Sequence, residues 1–457
     1  MKLITNGIKG TADILPENSY KWQFVEDIMR MQAAAYGFKE IRTPVFEHTE
    51  LFNRSVGDTT DVVQKEMYTF ITKGDDMLTL RPEGTAGAAR AMLEHGLYNN
   101  GYPIKAYYLT SCYRYEKPEK GRQREFHQFG MEVYGAASYF ADAEVICAAK
   151  SIFDRLDVQG LHLELNSIGC QKCRPNYHKA LKAYFEEYKD CLCDTCLSRL
   201  DRNPMRILDC KNAECSEIAS KAPTVLEYIC DDCKEHFDGV KNCLDAADVA
   251  YEVNPKIVRG LDYYTRTVFE FVSTGIGSQG TVCGGGRYDG LIEELGGQHT
   301  PSLGFGMGIE RLLLLMENQK IDIPKPETCD LYIAGMGDNA KIKAFKLIES
   351  IRESSLTAEG DIVGRGLKAQ MKYADKINAK FSMVIGDNEL ETNTAKIRNM
   401  KTGDETDISI DDEKFFEQFF DLYIQNSTDQ LAGSSVLGNI SQEELNKYMN
   451  HFTNNNQ

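Results

Sequence analysis

AYYLTSCYRYEKPEKGRQREFHQFGMEVYG, residues 106–135, is the stretch from which the fold can be read. Two runs with strand-like alternation flank a polar, glycine-containing connection at 117–124, which predicts a long antiparallel hairpin. Successive strand side chains point to opposite faces, so Arg114 and Glu116 are expected on one face, and Gln128 and Glu132 on one face of the return strand. Tyr113, Tyr115, Phe129, Met131 and Val133 fall on the other. Polar groups without partners are expensive to bury, so Arg, Glu, Gln and Glu above an apolar underside imply the floor of a polar-ligand site.

The 457 residues suffice for about three domains. Hydrophobic content of 42% and charged content of 26% are those of an ordinary globular protein. The start MKLITNGIKG lacks an apolar signal core and no apolar run is long enough to span a bilayer, so a cytoplasmic protein with no membrane partner is expected. A net charge of −17 argues against a non-specific nucleic-acid coat, but steering depends on where charge lies, so local basic patches decide.

Working outward from the hairpin, Trp22, Val25, Met29 and Ala33 recur at helical spacing, with Ser19 as the expected cap and Gly37 as the stop. Pro44 interrupts the strand-like FKEIRTPVFEHTELF and suits an edge or interface position. LTLRPEGTAGAARAML runs from a strand through a turn into an Ala-rich helix. Glu83 and Thr85 sit at that turn, where ligand binding and simple helix capping are both open readings. Downstream, 141–156 reads as a helix and LHLELNSIG as a strand, and strand character returns in YEVNPKIVRGLDYYTRTVFEFV. Tyr263 and Tyr264 there would, taken alone, pass as aromatic core. Gly304, Gly306 and Gly308 make a GxGxG pattern, but no acidic residue follows at the distance a dinucleotide site needs, which excludes that fold.

From Cys329 onward the texture becomes α/β, after a linker with two prolines. Between Gly364 and Lys401 eight Lys/Arg face four Asp/Glu, a local excess of basic charge in an acidic chain. The tail from Asn426 is polar and Asn-rich, with SQEELNKYMNHF as a short candidate helix.

These segments together resemble the histidyl-tRNA synthetases, a family of class II aminoacyl-tRNA synthetases, over about residues 3–422. Arg114-Tyr-Glu116 with FHQFGMEVYG is similar to the class motif 2, Pro44 to motif 1 and GFGMGIERLL to motif 3. RGLDYYTR (259–266) and CGGGRYDGL (283–291) resemble signatures specific to the histidine enzymes, and RPEGTA adds to them. The resemblance implies an α+β catalytic domain built on an antiparallel sheet at 1–325, interrupted by a mostly helical, cysteine-rich insertion at 171–248. It further implies a C-terminal α/β anticodon-binding domain at 328–425, followed by a polar extension at 426–457. GRGLKAQMKYADK and VIGDNEL carry the likeness to that second domain.

The implied reaction joins L-histidine and ATP into histidyl-adenylate, then passes histidine to the 3′ end of its tRNA. The resemblance assigns Arg114 and Arg259 as catalytic cations, the latter in a role often given to a metal. ATP would be held by Arg114, Glu116, Arg122, Phe126 and Arg311, with Mg²⁺ accompanying its phosphates. Glu83, Thr85 and Gln128 would bind the histidine α-amine, with Gly84 in the same site, while Glu132 and Tyr264 bracket the imidazole nitrogens and Tyr263 lies nearby. Lys117, Lys120, Arg122 and Arg124 would meet the tRNA acceptor end. A homodimer follows from the motif 1 match. The alternative from another class is a non-catalytic synthetase paralogue regulating a histidine-biosynthesis transferase; such proteins lack the anticodon-binding domain and lose catalytic arginines, which are present here.

Ten of the 14 cysteines lie between Cys170 and Cys243, including three CxxC pairs. Cys193, Cys196, Cys230 and Cys233 form the combination best spaced for a Cys₄ zinc site. The family's insertion does not need metal as a rule, so reduced thiols are the expected state and zinc is not expected.

Overall fold

The computed structural model describes residues 4–57, 60, 62–210, 212–273, 280–325 and 329–432. It separates into two compact units, Met1–Pro324 and Lys325–Gln457. The first carries, in chain order, β1 (Lys39–Glu40), β2 (Phe46–His48), β3 (Tyr68–Ile71), β4 (Met77–Leu80), β5 (Ile104–Tyr113), β6 (Glu125–Tyr134), β7 (Leu161–Ser167), β8 (Glu252–Val253), β9 (Thr265–Ser273), β10 (Thr281–Arg287) and β11 (Ser302–Gly308). Eight of these form one sheet in the order β1-β5-β6-β11-β10-β9-β7-β8. Its interior pairs are antiparallel, while the terminal strands β1 and β8 join in parallel. A small sheet β2-β4-β3 stands beside it.

The underside of the large sheet is apolar for the reason the alternation gives. Phe129, Met131 and Val133 of β6 project there with Phe269, Phe271, Phe305 and Met307, and helices Tyr139–Arg155 and Pro16–Ala35 cover them. The latter helix begins at Pro16, before the expected Ser19 cap, because proline's fixed φ and missing N–H suit the first helical position. Ser19 lies inside it and donates to the Pro16 carbonyl at 3.2 Å. Tyr115 departs from the predicted underside: β5 ends at Tyr113, and Tyr115 is 55% exposed with Arg124 over its ring. Arg114 and Glu116 therefore belong to the hairpin loop rather than to a continuing strand.

Between β7 and β8 the chain leaves for an excursion of short helices, chiefly Arg174–Glu186, Asp194–Leu200, Ala213–Ala219 and Asp231–Ala246. One buried ionic network joins it to the main core. Arg287 is 1% exposed and pairs with Asp142 and with Asp289, and Asp142 also meets His236 of the excursion at 3.1 Å. Burial pushes the Asp142 carboxyl upward, but Arg287 and His236 outweigh it and hold its pKa below the usual value. Arg287→Met, which strands Asp142 in an apolar setting, is expected to destabilise the fold by about 3–5 kcal/mol in a urea titration. A cost under about 1 kcal/mol would show that His236 alone suffices.

The second unit holds a sheet ordered β13-β12-β14-β15-β16, built from β12 (Cys329–Gly335), β13 (Ala358–Gly360), β14 (Ala379–Ile385), β15 (Thr394–Asn399) and β16 (Glu405–Ser409). Its first three strands are parallel and the last two antiparallel. Helices Asp338–Glu353 and Asp412–Ala432 are packed through a core of Leu331, Ile333, Phe381, Ile397 and Phe415. The last helix runs past Asn426 to Ala432, into the segment expected to be a polar extension; SQEELNKYMNHF lies outside the described residues. Among the described residues no helix is long and apolar enough to cross a membrane.

Candidate active site

The upper face of the large sheet is bare at its centre. Tyr108 stands opposite Gly130, Gly130 opposite Gly306, Gly306 opposite Gly284, and Gly284 opposite Glu270, so three adjacent strands contribute glycine to one row. Glycine weakens a strand and marks close approach of another group. The approaching groups can be named. A Cβ on Gly306 would meet Gln128 Nε2 at 2.4 Å, one on Gly284 would meet the Arg259 guanidinium at 2.5 Å, and one on Gly304 would fall 1.8 Å from Glu132 Oε2. The two glycine-rich motifs thus carve a trough into which polar side chains lie flat.

At one end of the trough the histidine-assigned residues converge. Glu132 is 0% exposed and accepts hydrogen bonds from Thr85 Oγ1 at 2.7 Å, Tyr108 at 3.0 Å and the Tyr288 hydroxyl. Burial pushes its pKa up to about 8 against the pull of those hydroxyls, and Glu83 pushes the same way. Glu83, one residue before the N-cap Gly84, accepts from the backbone N–H groups of Thr85 and Ala86 at 2.7 and 2.8 Å and so satisfies the first turn of helix Thr85–Glu94; burial raises its pKa too. Gln128 Oε1 accepts from Gly84 N–H at 3.0 Å. Tyr263 and Tyr264 are buried, 4.7 Å apart by ring centroids, and Tyr263 packs edge-on against Tyr288. Tyr108 and Tyr288 were not singled out from sequence. Tyr108 shares the site face by strand period alone, whereas the reach of Tyr288 to Glu132 needs the β10–β11–β6 register.

Arg259 lies over Gly284 with its guanidinium paired to Glu270 and 5.6 Å from the Tyr264 ring. Burial works against its charge, but Glu270 and Tyr264 more than offset this and raise its pKa. Thr281 donates to the other Glu270 oxygen at 2.7 Å. Arg114 donates from Nε to the Pro82 carbonyl at 2.8 Å and stands 5.2 Å from the centre of the Phe126 ring. Glu116 is bonded to Arg122 and lies 3.8 Å from Arg114. Arg311 NH1 donates to the Thr281 carbonyl at 2.6 Å, and its pKa is lowered by burial and by the neighbouring Arg122 and Arg114. Arg114, Arg122 and Arg311 therefore crowd one end of the site, an arrangement suited to a polyanion.

The outer basic residues divide by exposure. Lys117 and Lys120 of the hairpin loop point outward, whereas Arg122 serves Glu116 and Arg124 stacks on Tyr115. In the second unit Lys368, Lys372 and Lys376 are exposed at four-residue spacing along helix Leu367–Lys376, one face of it. Lys380 is instead paired with Asp330 at 3.0 Å.

The expected cysteine quartet is corrected by the fold. Cys230 and Cys233 face Cys170 and Cys173, while Cys193 and Cys196 face Cys210 and Cys215, all four sulfurs of each group lying within 4.8 Å of one another. Cys193 and Cys196 are thus grouped apart from Cys230 and Cys233, because helix Asp231–Ala246 returns to the root of the excursion and not to its tip.

Residues 10–312 match the family model described as histidyl-tRNA synthetase, and residues 330–414 match an anticodon binding domain. A histidine–tRNA ligase of Clostridium novyi is 55% identical over 402 residues, covering 88% of this chain and 96% of the relative. One from Caldanaerobacter subterraneus is 55% identical over 410 residues, covering 90% and 98%. The crystal structure of apo histidyl-tRNA synthetase from S. aureus superposes with a TM-score of 0.77 at 40% identity, covering 89% of this chain and 98% of that one.

Proposed function

The chain belongs to the histidyl-tRNA synthetase family and carries its ATP-dependent histidine–tRNA ligase activity, and from that premise we propose how its residues divide the work. The histidine carboxylate attacks the α-phosphate of ATP, pyrophosphate departs, and the acyl group then passes from the adenylate to a hydroxyl of the terminal adenosine, releasing AMP. The first attack concentrates negative charge on the α-phosphate. Arg259 and Arg114 stabilise that charge, and they do so most effectively where water is scarce. Arg311 and Arg122 hold the outer phosphates. Glu116 accepts from the adenine amine, and Phe126 stacks on the ring.

Mg²⁺ would accompany the triphosphate and would spread its charge. Arg259, held by Glu270, would supply a fixed cation to the α-phosphate, so the ion would need no protein cage. Glu83, Thr85 and Gln128 receive the α-amine, with Gly84 beside them in the same site, and Glu132 and Tyr264 bracket the imidazole with Tyr263 nearby. The exposed Lys117 and Lys120 meet the acceptor end, and the Lys368, Lys372 and Lys376 face meets anticodon phosphates. The division into a catalytic body, a cysteine-rich insertion and an anticodon-binding domain, together with a homodimer in the cytoplasm, completes the reading. The homodimer rests on the motif 1 match.

The observation that carries the site assignment is the glycine trough, with a buried carboxyl cluster at one end and three arginines at the other. The non-catalytic paralogue is set aside because the anticodon-binding match and both relatives at 55% identity favour the ligase. Aminoacylation of purified tRNA with each candidate amino acid should charge histidine alone. Removing the chain from Cys329 onward should spare histidine-dependent pyrophosphate exchange while tRNA charging collapses. Equal loss of both in a protein that remains folded would contradict this division of labour.

A further inference from the structure

The insertion carries eight cysteines in two quartets that the ligase reaction does not use. In the first, Cys170 Sγ lies 3.6 Å from Cys173 Sγ and 3.9 Å from Cys230 Sγ, and Cys173 Sγ lies 3.8 Å from Cys233 Sγ. In the second, Cys193 Sγ lies 3.9 Å from Cys210 Sγ, with Cys196 and Cys215 completing the group. A disulfide would bring two sulfurs to about 2.05 Å, and all eight are free thiols. Four thiolates around one tetrahedral ion with bonds of about 2.3 Å stand about 3.8 Å apart, close to these four separations of 3.6–3.9 Å. An iron–sulfur cluster inserts inorganic sulfide and would spread its ligands beyond the 4.8 Å that contains each quartet.

The surroundings repeat between the two groups. Cys230 N–H donates to Cys173 Sγ at 3.1 Å, and Cys193 N–H donates to Cys215 Sγ at 3.2 Å. In each case the first cysteine of one pair satisfies the sulfur of the second cysteine in the other, the kind of outer hydrogen bond that supports a ligating thiolate. Gly169 takes φ +70° immediately before Cys170, and a Cβ there would meet Cys173 Cβ at 2.8 Å, so the turn into the first pair is built for close approach. One member at least of every pair is buried, namely Cys173, Cys233, Cys196 and Cys215.

We propose that the insertion holds two structural zinc ions, one bound by Cys170, Cys173, Cys230 and Cys233 and the other by Cys193, Cys196, Cys210 and Cys215. Tetrahedral thiolate sites select zinc among the divalent ions that do not change oxidation state, and binding releases the thiol protons to solvent. The insertion's helices are short, the second and third having seven residues each, and segments so small need a staple beyond their own core. The first ion fastens the excursion's exit to its entry, across some sixty residues of chain.

The ions would also position the histidine loop. The first site sits at the start of helix Arg174–Glu186, whose Arg174 donates to the Tyr264 carbonyl. The second holds the turn at Pro204–Ile207, where Arg206 donates to the Gly260 carbonyl at 2.7 Å and to Asp262 at 3.0 Å, and Asn203 donates to Asp262 at 3.1 Å. Arg174 and Arg206 thus brace the loop that carries Arg259, Tyr263 and Tyr264 without touching the reacting atoms.

The test is metal analysis of the full chain purified without chelator or added metal. About two zinc ions per chain are expected, and a content below about 0.2, unchanged after incubation with zinc under reducing conditions, overturns the proposal. The same count made up of iron overturns the zinc assignment. Pairing is read from double variants: Cys173→Ser with Cys233→Ser should leave about one ion, and Cys173→Ser with Cys196→Ser about none. The reverse pattern would overturn the quartets. Should variants fail to fold, cobalt titration of metal-free wild-type protein decides: tetrahedral thiolate absorption saturating at about two equivalents supports the proposal, and its absence refutes it.

Discussion

Arg259→Ala is expected to lower histidine-dependent exchange of pyrophosphate into ATP by at least about 10³-fold. A single preorganised donor on developing oxyanion charge is worth about 10²–10³, and here more is lost than one donor. The guanidinium is held by Glu270 on one side and by the face of Tyr264 on the other, over a glycine that leaves it room, so its position costs no reorganisation during the reaction. Removing it also leaves the Glu270 carboxylate in the site without its cation, adding negative charge where the α-phosphate must approach. Arg259→Lys keeps the charge but not the planar fork and should recover only part of the activity. Near-normal exchange by a folded Arg259→Ala protein would remove Arg259 from the catalytic assignment.

The residues expected to form the site are legible because most of their motifs are local in the chain. Arg114, Glu116, Gln128 and Glu132 lie within one hairpin, and strand period alone puts Gln128 and Glu132 together. What is not legible there depends on register or on the return of distant chain. Strand alternation extends the strand through Arg114 and Glu116, whereas β5 ends at Tyr113 with one further bond from Arg114 N–H to the Arg124 carbonyl at 2.8 Å, beyond which the loop closes on its own salt bridge and stacked ring. The glycines of CGGG and GFGMG were visible, yet only the alignment of three strands shows that they share a row. The cysteine quartets failed for a related reason: CxxC spacing identifies a pair but not which pair it meets. In the second unit β13 is three residues long and β16 is mostly exposed and polar, so neither offers the apolar alternation by which a strand is recognised.

Glu132→Gln is expected to reduce kcat/KM for histidine by about 10³ or more, and to change how the ligand-free protein responds to pH. A site built to hydrogen-bond both imidazole nitrogens discriminates by about 10⁴–10⁵ against a partner that leaves its groups unpaired. Glutamine keeps one acceptor, so the loss should fall somewhat short of that. The pH effect follows from the carboxyl's own equilibrium. Glu132 has its pKa raised in the fold from the usual 4.5 to about 8, chiefly by burial. The folded protein therefore binds this proton more tightly than the unfolded chain does, and the associated stability is fully present below pH 4.5 and declines as pH rises to about 8. The decline amounts to roughly 1.4 kcal/mol for each pH unit in that window. Glu83, whose pKa is raised in the same direction, adds to the trend and remains in the variant, so the slope should flatten without vanishing. Thermal denaturation of the ligand-free protein across that window reads the slope directly. A variant with the parent's slope would show that Glu132 is ionised in the fold, and a kcat/KM within a few-fold of the parent would show that the imidazole is held elsewhere.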